Sequence, residues 1–313
     1  MPSFLRGIGL IALLSCQRPP NWLDEAPLIG MRVKDDAGRI LYLKRPPTRV
    51  ALCTPEAIGL WSKAGLFSYV VAACAGMGEE SRLFYLPCMD SLALPDALFR
   101  SKAEWIWTSH PSFLQREHPF AHTSYVFSPR STKDWLTHLG MLGKVYDIPS
   151  ISLLADSLLH SIELLSVSAR KGRRFRVLVL CPADPVAFLT HHHPLASLID
   201  EAGGSIPYTG SLPIQTFPAE TLLHSPPDIL LVPEGASELL NDLLTQYPDA
   251  YTFPAVQYKR IFSIEKWMIE APFTDPVRGF YTLLQIIHPE IGNSSLSQPA
   301  RNNVENRTQK NTD

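Results

Sequence analysis

The stretch Pro149-Ser-Ile-Ser-Leu-Leu-Ala-Asp-Ser-Leu-Leu-His-Ser-Ile-Glu-Leu-Leu-Ser-Val-Ser-Ala-Arg-Lys-Gly172 decides the architecture. Ile151, Leu154, Leu158, Ile162 and Leu165 recur at helical spacing, and no Gly or Pro interrupts them before Gly172. This is the longest uninterrupted helix in the sequence. Its roughly 18 residues span about 27 Å, the scale of a small domain.

On both sides of it, short apolar runs alternate with helical segments. Before it, Arg49–Cys53, Tyr69–Ala73, Glu104–Thr108 and Ser124–Phe127 read as strands, with a helix over Ala57–Leu66 closed near Gly65. After it come a strand over Phe175–Leu180, a helix over Leu195–Ala202 ended by Gly203-Gly204, strands over Asp228–Val232 and Arg260–Ile264, and a helix over Val277–Ile287. Such alternation belongs to parallel sheets. Met31–Lys44 adds a hairpin turning at Asp36-Ala37-Gly38. The expected fold is therefore α/β, two Rossmann-like lobes with mostly parallel sheets joined by one long rigid helix: a first lobe over 31–149, the helix over 150–171 and a second lobe over 172–290.

The ends carry a different kind of signal. Met1–Arg6 holds one positive charge, an apolar run follows from Ile8 to Leu14, and the run stops at Ser15-Cys16. That is the layout of a secretory signal over 1–15, too short to span a bilayer. Leu13-Leu14-Ser15-Cys16 resembles the bacterial lipobox, which implies a lipid on Cys16, a linker over 16–30 and an extracytoplasmic protein held at a cell membrane. Outside this leader no apolar run reads as membrane-spanning. Residues 291–313 are rich in Asn, Ser, Gln and Thr and read as a disordered tail.

Composition excludes some partners. Lys+Arg 28 against Asp+Glu 30 leaves no basic stripe for nucleic acid. With Cys16 assigned to lipid, Cys53, Cys74, Cys88 and Cys181 remain; no Cys-x-x-Cys spacing supports zinc or thioredoxin-type chemistry. Cys53, Cys74 and Cys181 end predicted strands and read as small buried hydrophobes, although a Cys53–Cys74 bridge is geometrically open.

In order along the chain, a series of motifs resembles the substrate-binding proteins of ABC importers for cobalamin, ferric siderophores and haem. They are Pro46-Pro47-Thr48-Arg49-Val50 leading into Cys53-Thr54-Pro55-Glu56, then Leu139-Gly140-x-x-Gly143-Lys144, Leu195 to Gly204, Ala219-Glu220 running to Pro227-Asp228 and Val232, Ala255-Val256-x-x-Lys259-Arg260, and Ile287-His288-Pro289-Glu290. The chain departs from the pattern at Ala57-Ile58, where a second Thr-Glu pair is usual, and at Lys102-Ala103-Glu104, which replaces a common Pro-Asp. The resemblance implies a monomeric lipoprotein that captures an iron chelate, haem or a corrinoid between its lobes. It would hand this cargo to a permease in the cytoplasmic membrane, with no built-in cofactor and no catalysis. Asp96 and Glu220, each eight residues before the position that opens a strand, correspond to the family's two permease-docking carboxylates. Both also suit the first turn of a helix, where the dipole favours an acid.

Ligands of two-lobed α/β proteins lie beyond the carboxyl ends of the strands. The loops there offer Thr54, Pro55, Met77, Trp107 and His110 in the first lobe, and His191, His192, His193, Glu234, Trp267 and Arg278 in the second. Aromatic groups with a few polar ones suit a flat, mostly apolar chelate. The three histidines either hold a ligand's anionic group or a metal, with His193 the candidate, or form a solvated loop tip; adjacent residues cannot all face one ion. A receptor for bare Zn, Mn or Fe is the alternative function. An enzyme is less favoured, since there is no Gly-x-Ser-x-Gly, Walker loop or dinucleotide fingerprint.

Overall fold

The computed structural model describes residues 30–74, 84–86, 94–109, 120 and 122–296. Its first lobe opens with the antiparallel hairpin β1 (Met31–Lys34) and β2 (Ile40–Leu43). Gly38 takes φ +81°, which only glycine adopts cheaply, and so closes the turn. A five-stranded sheet follows, built from β3 (Val50–Leu52), β4 (Val70–Cys74), β5 (Phe84–Leu86), β6 (Trp105–Thr108) and β7 (Ser124–Val126). Its order is β5-β4-β3-β6-β7 and every pairing is parallel. The helices of this lobe are α1 (Pro55–Lys63), α2 (Leu94–Ser101) and α3 (Thr132–Val145).

The inner strands β3 and β6 are buried at every position because helices cover both faces of the sheet. On one face, Trp105 and Trp107 of β6 meet Trp61 of α1 edge-on, with ring centroids 6.0 and 5.6 Å away. The indole nitrogens of Trp61, Trp105, Trp107 and Trp135 have no hydrogen-bond partner.

The helix α4 (Pro149–Lys171) joins the lobes. Its buried stripe is Ile151, Ala155, Ile162, Ser166 and Ala169, a helical face. Its start crosses α3 at close range, because a Cβ on Gly143 would lie 2.7 Å from the Ser152 nitrogen. That crossing explains the Leu-Gly-x-x-Gly-Lys motif physically. With 23 residues and an 18-residue window of mean hydropathy 1.3, α4 is long and apolar enough to cross a membrane by those two measures, which corrects the reading that no apolar run outside the leader is membrane-spanning. Its packing against α3 and α5 makes it the strut between lobes.

In the second lobe β8 (Phe175–Cys181), β9 (Ala187–Leu189), β10 (Gly204–Ser205), β11 (Ile214–Gln215), β12 (Ile229–Pro233) and β13 (Ile261–Ile264) form a six-stranded sheet. β8, β10, β12 and β13 pair in parallel, while β9 and β11 are antiparallel. Around it lie α5 (Pro194–Glu201), α6 (Ala219–His224), α7 (Glu238–Gln246), α8 (Pro254–Gln257), α9 (Trp267–Glu270), α10 (Pro276–Ile287) and α11 (Pro289–Leu296).

The fold class is thus the α/β arrangement the sequence implies. One boundary needs correction: α11 continues through Gly292, whose Cβ position lies 2.9 Å from the Gln285 side chain, so the chain stays packed on α10 past residue 290. Apolar Ile291 and a small residue at 292 allow this packing despite the polar composition that follows. Residues 297–313, the leader 1–15 and Cys16 lie outside the described residues.

Candidate functional site

The two lobes touch near the carboxyl ends of their sheets. α1 starts directly after β3, and Gly59 on it lies against Thr274 of the short 3-10 turn Pro272–Thr274, which follows β13. A methyl group at position 59 would overlap the Thr274 carbonyl. This contact lies at the strand ends beyond which a crevice is expected.

On the second lobe, three side chains form a connected lip there. Glu265 follows β13 and accepts a 2.6 Å hydrogen bond from the Trp267 indole nitrogen. Its other oxygen is paired with Arg278, whose guanidinium carbon lies 5.8 Å from the centre of the Trp267 ring. Arg278 sits in the first turn of α10, where Asp275 accepts its backbone N–H at 3.2 Å. Exposed Glu234 stands beside them, because its N–H donates to the Ile264 carbonyl at 2.7 Å and extends the β12–β13 ladder. Trp267 and Arg278 are among the candidates read from the sequence; Glu265 is not, although its place directly after an apolar run is the same signal. The set offers an indole surface, an oriented guanidinium with unused N–H groups, and carboxylates. Such a lip can stack on a flat ligand and hold an acidic substituent.

Other expected site residues lie elsewhere. Trp107 is fully buried in the aromatic core and cannot face the crevice, because β6 is a central strand covered on both sides. Thr54 is also buried, and its hydroxyl caps α1 by accepting from the Ala57 N–H at 3.2 Å. Pro55 is exposed at the first position of that helix. Met77 and His110 fall outside the described residues.

The histidine run is corrected in part. β9 runs antiparallel to β8, so the chain is already heading back from that strand's carboxyl end when it reaches His191. His191 and His192 are exposed with rings 3.9 Å apart. His193 is buried and caps α5, its Nδ1 accepting from the Leu195 N–H at 3.1 Å, and burial lowers its pKa to about 4. That nitrogen is spent on structure. Among the described residues no group of three or more His, Cys, Asp or Glu is placed to hold a metal ion.

Among the described residues Cys53, Cys74 and Cys181 form no disulfide. Burial, with Cys74 nearby, pushes the Cys53 thiol up to about 12, and burial alone does the same to Cys181. Both behave as small apolar groups.

Asp96 and Glu220 are exposed in the first turns of α2 and α6, which precede β6 and β12, the corresponding strands of the two lobes. Glu220 also lines a hollow of about 400 Å³ with Tyr208 and His224.

These features define a class: two α/β lobes on a single helix, the fold of periplasmic binding proteins. Solved structures with that fold include the ABC-type Fe3+-hydroxamate transport system of Saccharomonospora viridis, at 16% identity over 83% of this chain and 99% of that one, TM-score 0.60. The periplasmic vitamin B12 binding protein of Vibrio cholerae matches at 14% identity over 79% and 98%, TM-score 0.63. The periplasmic heme binding protein of Vibrio cholerae matches at 16% over 77% and 99%, TM-score 0.63. The likeness is one of fold. No family model and no curated protein sequence matches the chain.

Proposed function

We propose that this chain is an extracytoplasmic substrate-binding lipoprotein of an ABC importer. It captures an iron chelate (siderophore or haem) or a corrinoid in the crevice between its lobes and delivers it to the permease, without performing chemistry. The observation that carries this reading is the Glu265–Trp267–Arg278 lip, placed after the last strand of the second sheet and beside the Gly59–Thr274 contact. The named ligands of the fold neighbours, an Fe3+-hydroxamate system, vitamin B12 and heme, are of the class such a lip suits. Cys16 supplies the lipid tether, which keeps a binding protein within reach of its permease. Asp96 and Glu220 supply the docking charges, one on each lobe.

The test is a visible absorption titration of the mature chain with haem, cobalamin and a panel of ferric siderophores. One of them should bind at micromolar concentration with a shifted spectrum; no binding by any would sink the proposal.

A further inference from the structure

Away from the crevice, the β1–β2 hairpin, α3 and the first turns of α4 enclose a groove of about 400 Å³, within the range of small-molecule sites. Its apolar floor comes from Leu136 and Met141 of α3 and Leu159 of α4, while Val33, which also borders it, turns its side chain into the core on the face of β1 opposite Arg32 and Lys34. Its rim is cationic: Arg32, Lys34 and Lys144 line it against the single carboxylate of Asp156. All three cations are exposed and among the described residues none is in an ion pair, although the Arg32 guanidinium lies 5.3 Å from the centre of the Tyr42 ring.

The walls are held in place by a polar network. The Tyr125 hydroxyl lies 2.8 Å from His138 Nδ1 and 3.0 Å from the Lys34 carbonyl, and His138 Nε2 lies 2.8 Å from Asp36 of the hairpin turn. This ties the hairpin to β7 and α3, so the groove exists before anything enters it. Preorganisation of that kind is what makes a concavity a site.

We propose that this groove is a second ligand site, which takes a small apolar acid with one anionic head. Its apolar body lies on the floor and its carboxylate or phosphate meets Arg32, Lys34 and Lys144. A neutral apolar molecule would leave the cations unused, and a fully hydrophilic anion would leave the floor wet. A membrane surface does not fit, because Leu136 is buried and recessed, whereas insertion needs protruding apolar groups.

The test is isothermal calorimetry of the mature chain with dodecanoate below its micelle concentration, beside dodecanol and inorganic phosphate. Dodecanoate should bind one to one, at least tenfold more tightly than either control. Arg32→Glu with Lys144→Glu should weaken it tenfold or more, and Thr137→Trp, which fills the groove mouth from an exposed position, should do the same. All variants should keep the wild-type circular dichroism and melting temperature, and the crevice ligand should bind unchanged. No heat with dodecanoate, equal binding of dodecanol or phosphate, or wild-type affinity in the variants would each overturn the proposal.

Discussion

Gly59 in the first lobe and Thr274 in the second lie so close that any side chain at position 59 would overlap the Thr274 carbonyl oxygen. The obstructing atom belongs to the backbone and cannot rotate away. The glycine therefore sets how nearly the lobes approach at these strand ends. Gly59→Ala is expected to cost about 1–3 kcal/mol, the usual range for overpacking, and to push the lobes apart at this end. A lower melting temperature together with a larger radius of gyration by small-angle scattering checks both parts. An unchanged radius would mean that the joint is set elsewhere.

Trp267 and Arg278 share Glu265, and neither is central to the core. Trp267→Ala and Arg278→Ala should each weaken binding of the crevice ligand at least tenfold, on the order of the 1.4 kcal/mol that a factor of ten represents. Glu265→Gln should have a smaller effect, since the guanidinium keeps its charge but loses its oriented partner. Spectroscopic titration measures all three. Equal loss in a conservative Arg278→Lys variant would assign the effect to the planar fork rather than to charge.

The two lobes and their connecting helix were legible because they rest on periodicity that survives in one sequence. Ile151 to Leu165 repeat every third or fourth residue, and Val177, Leu178 and Val179 are apolar in succession because both faces of β8 are covered. The antiparallel β9 was not legible: Ala187-Phe188-Leu189 is too short to carry a pattern, and its direction comes from pairing with β8. That direction is also why the histidine run was misplaced. Trp107 was misread because position at a strand end says nothing about whether a helix covers it. A chain leaving β13 emerges at the strand's carboxyl end, which is the signal that made Trp267 and Arg278 candidates, but the Gly59–Thr274 contact joins residues 215 positions apart and left no local trace.

Glu201, at the end of α5, reaches across to the first lobe and accepts the Thr132 N–H at 3.0 Å, while its other oxygen and the Thr132 hydroxyl are buried without partners. Burial raises its pKa, more than the Thr132 N–H and Arg170 lower it, and Asp200 adds to the rise. The folded state thus holds this proton more tightly than the unfolded chain does. Stability is greatest below the ordinary carboxylate value and declines as pH climbs through the raised one, with the loss complete above it. Glu201→Gln removes that loss and leaves the Thr132 N–H its acceptor. The variant should melt about 2–4 °C higher at neutral pH, the shift that about 1 kcal/mol produces in a chain of this size, with no gain at pH 4. Melting curves across pH would show it; a uniform offset at all pH values would contradict the titration.

Asp96 and Glu220 occupy matching first turns of α2 and α6, one on each lobe, and both are exposed. Exposed charges of this kind steer and orient a partner more than they stabilise the fold. Reversing both, Asp96→Arg with Glu220→Arg, places a cation at two helix starts, which costs only about 0.3–1 kcal/mol each through the dipole. The protein should stay folded and keep its ligand affinity, yet stop supporting uptake in cells or in permease-containing vesicles. Each single reversal should leave partial transport, because the other lobe still docks. Raising ionic strength should slow wild-type docking and have little effect on the double variant. A double variant that transports normally would remove these two carboxylates from the docking surface, and one that loses ligand affinity would return them to the binding site.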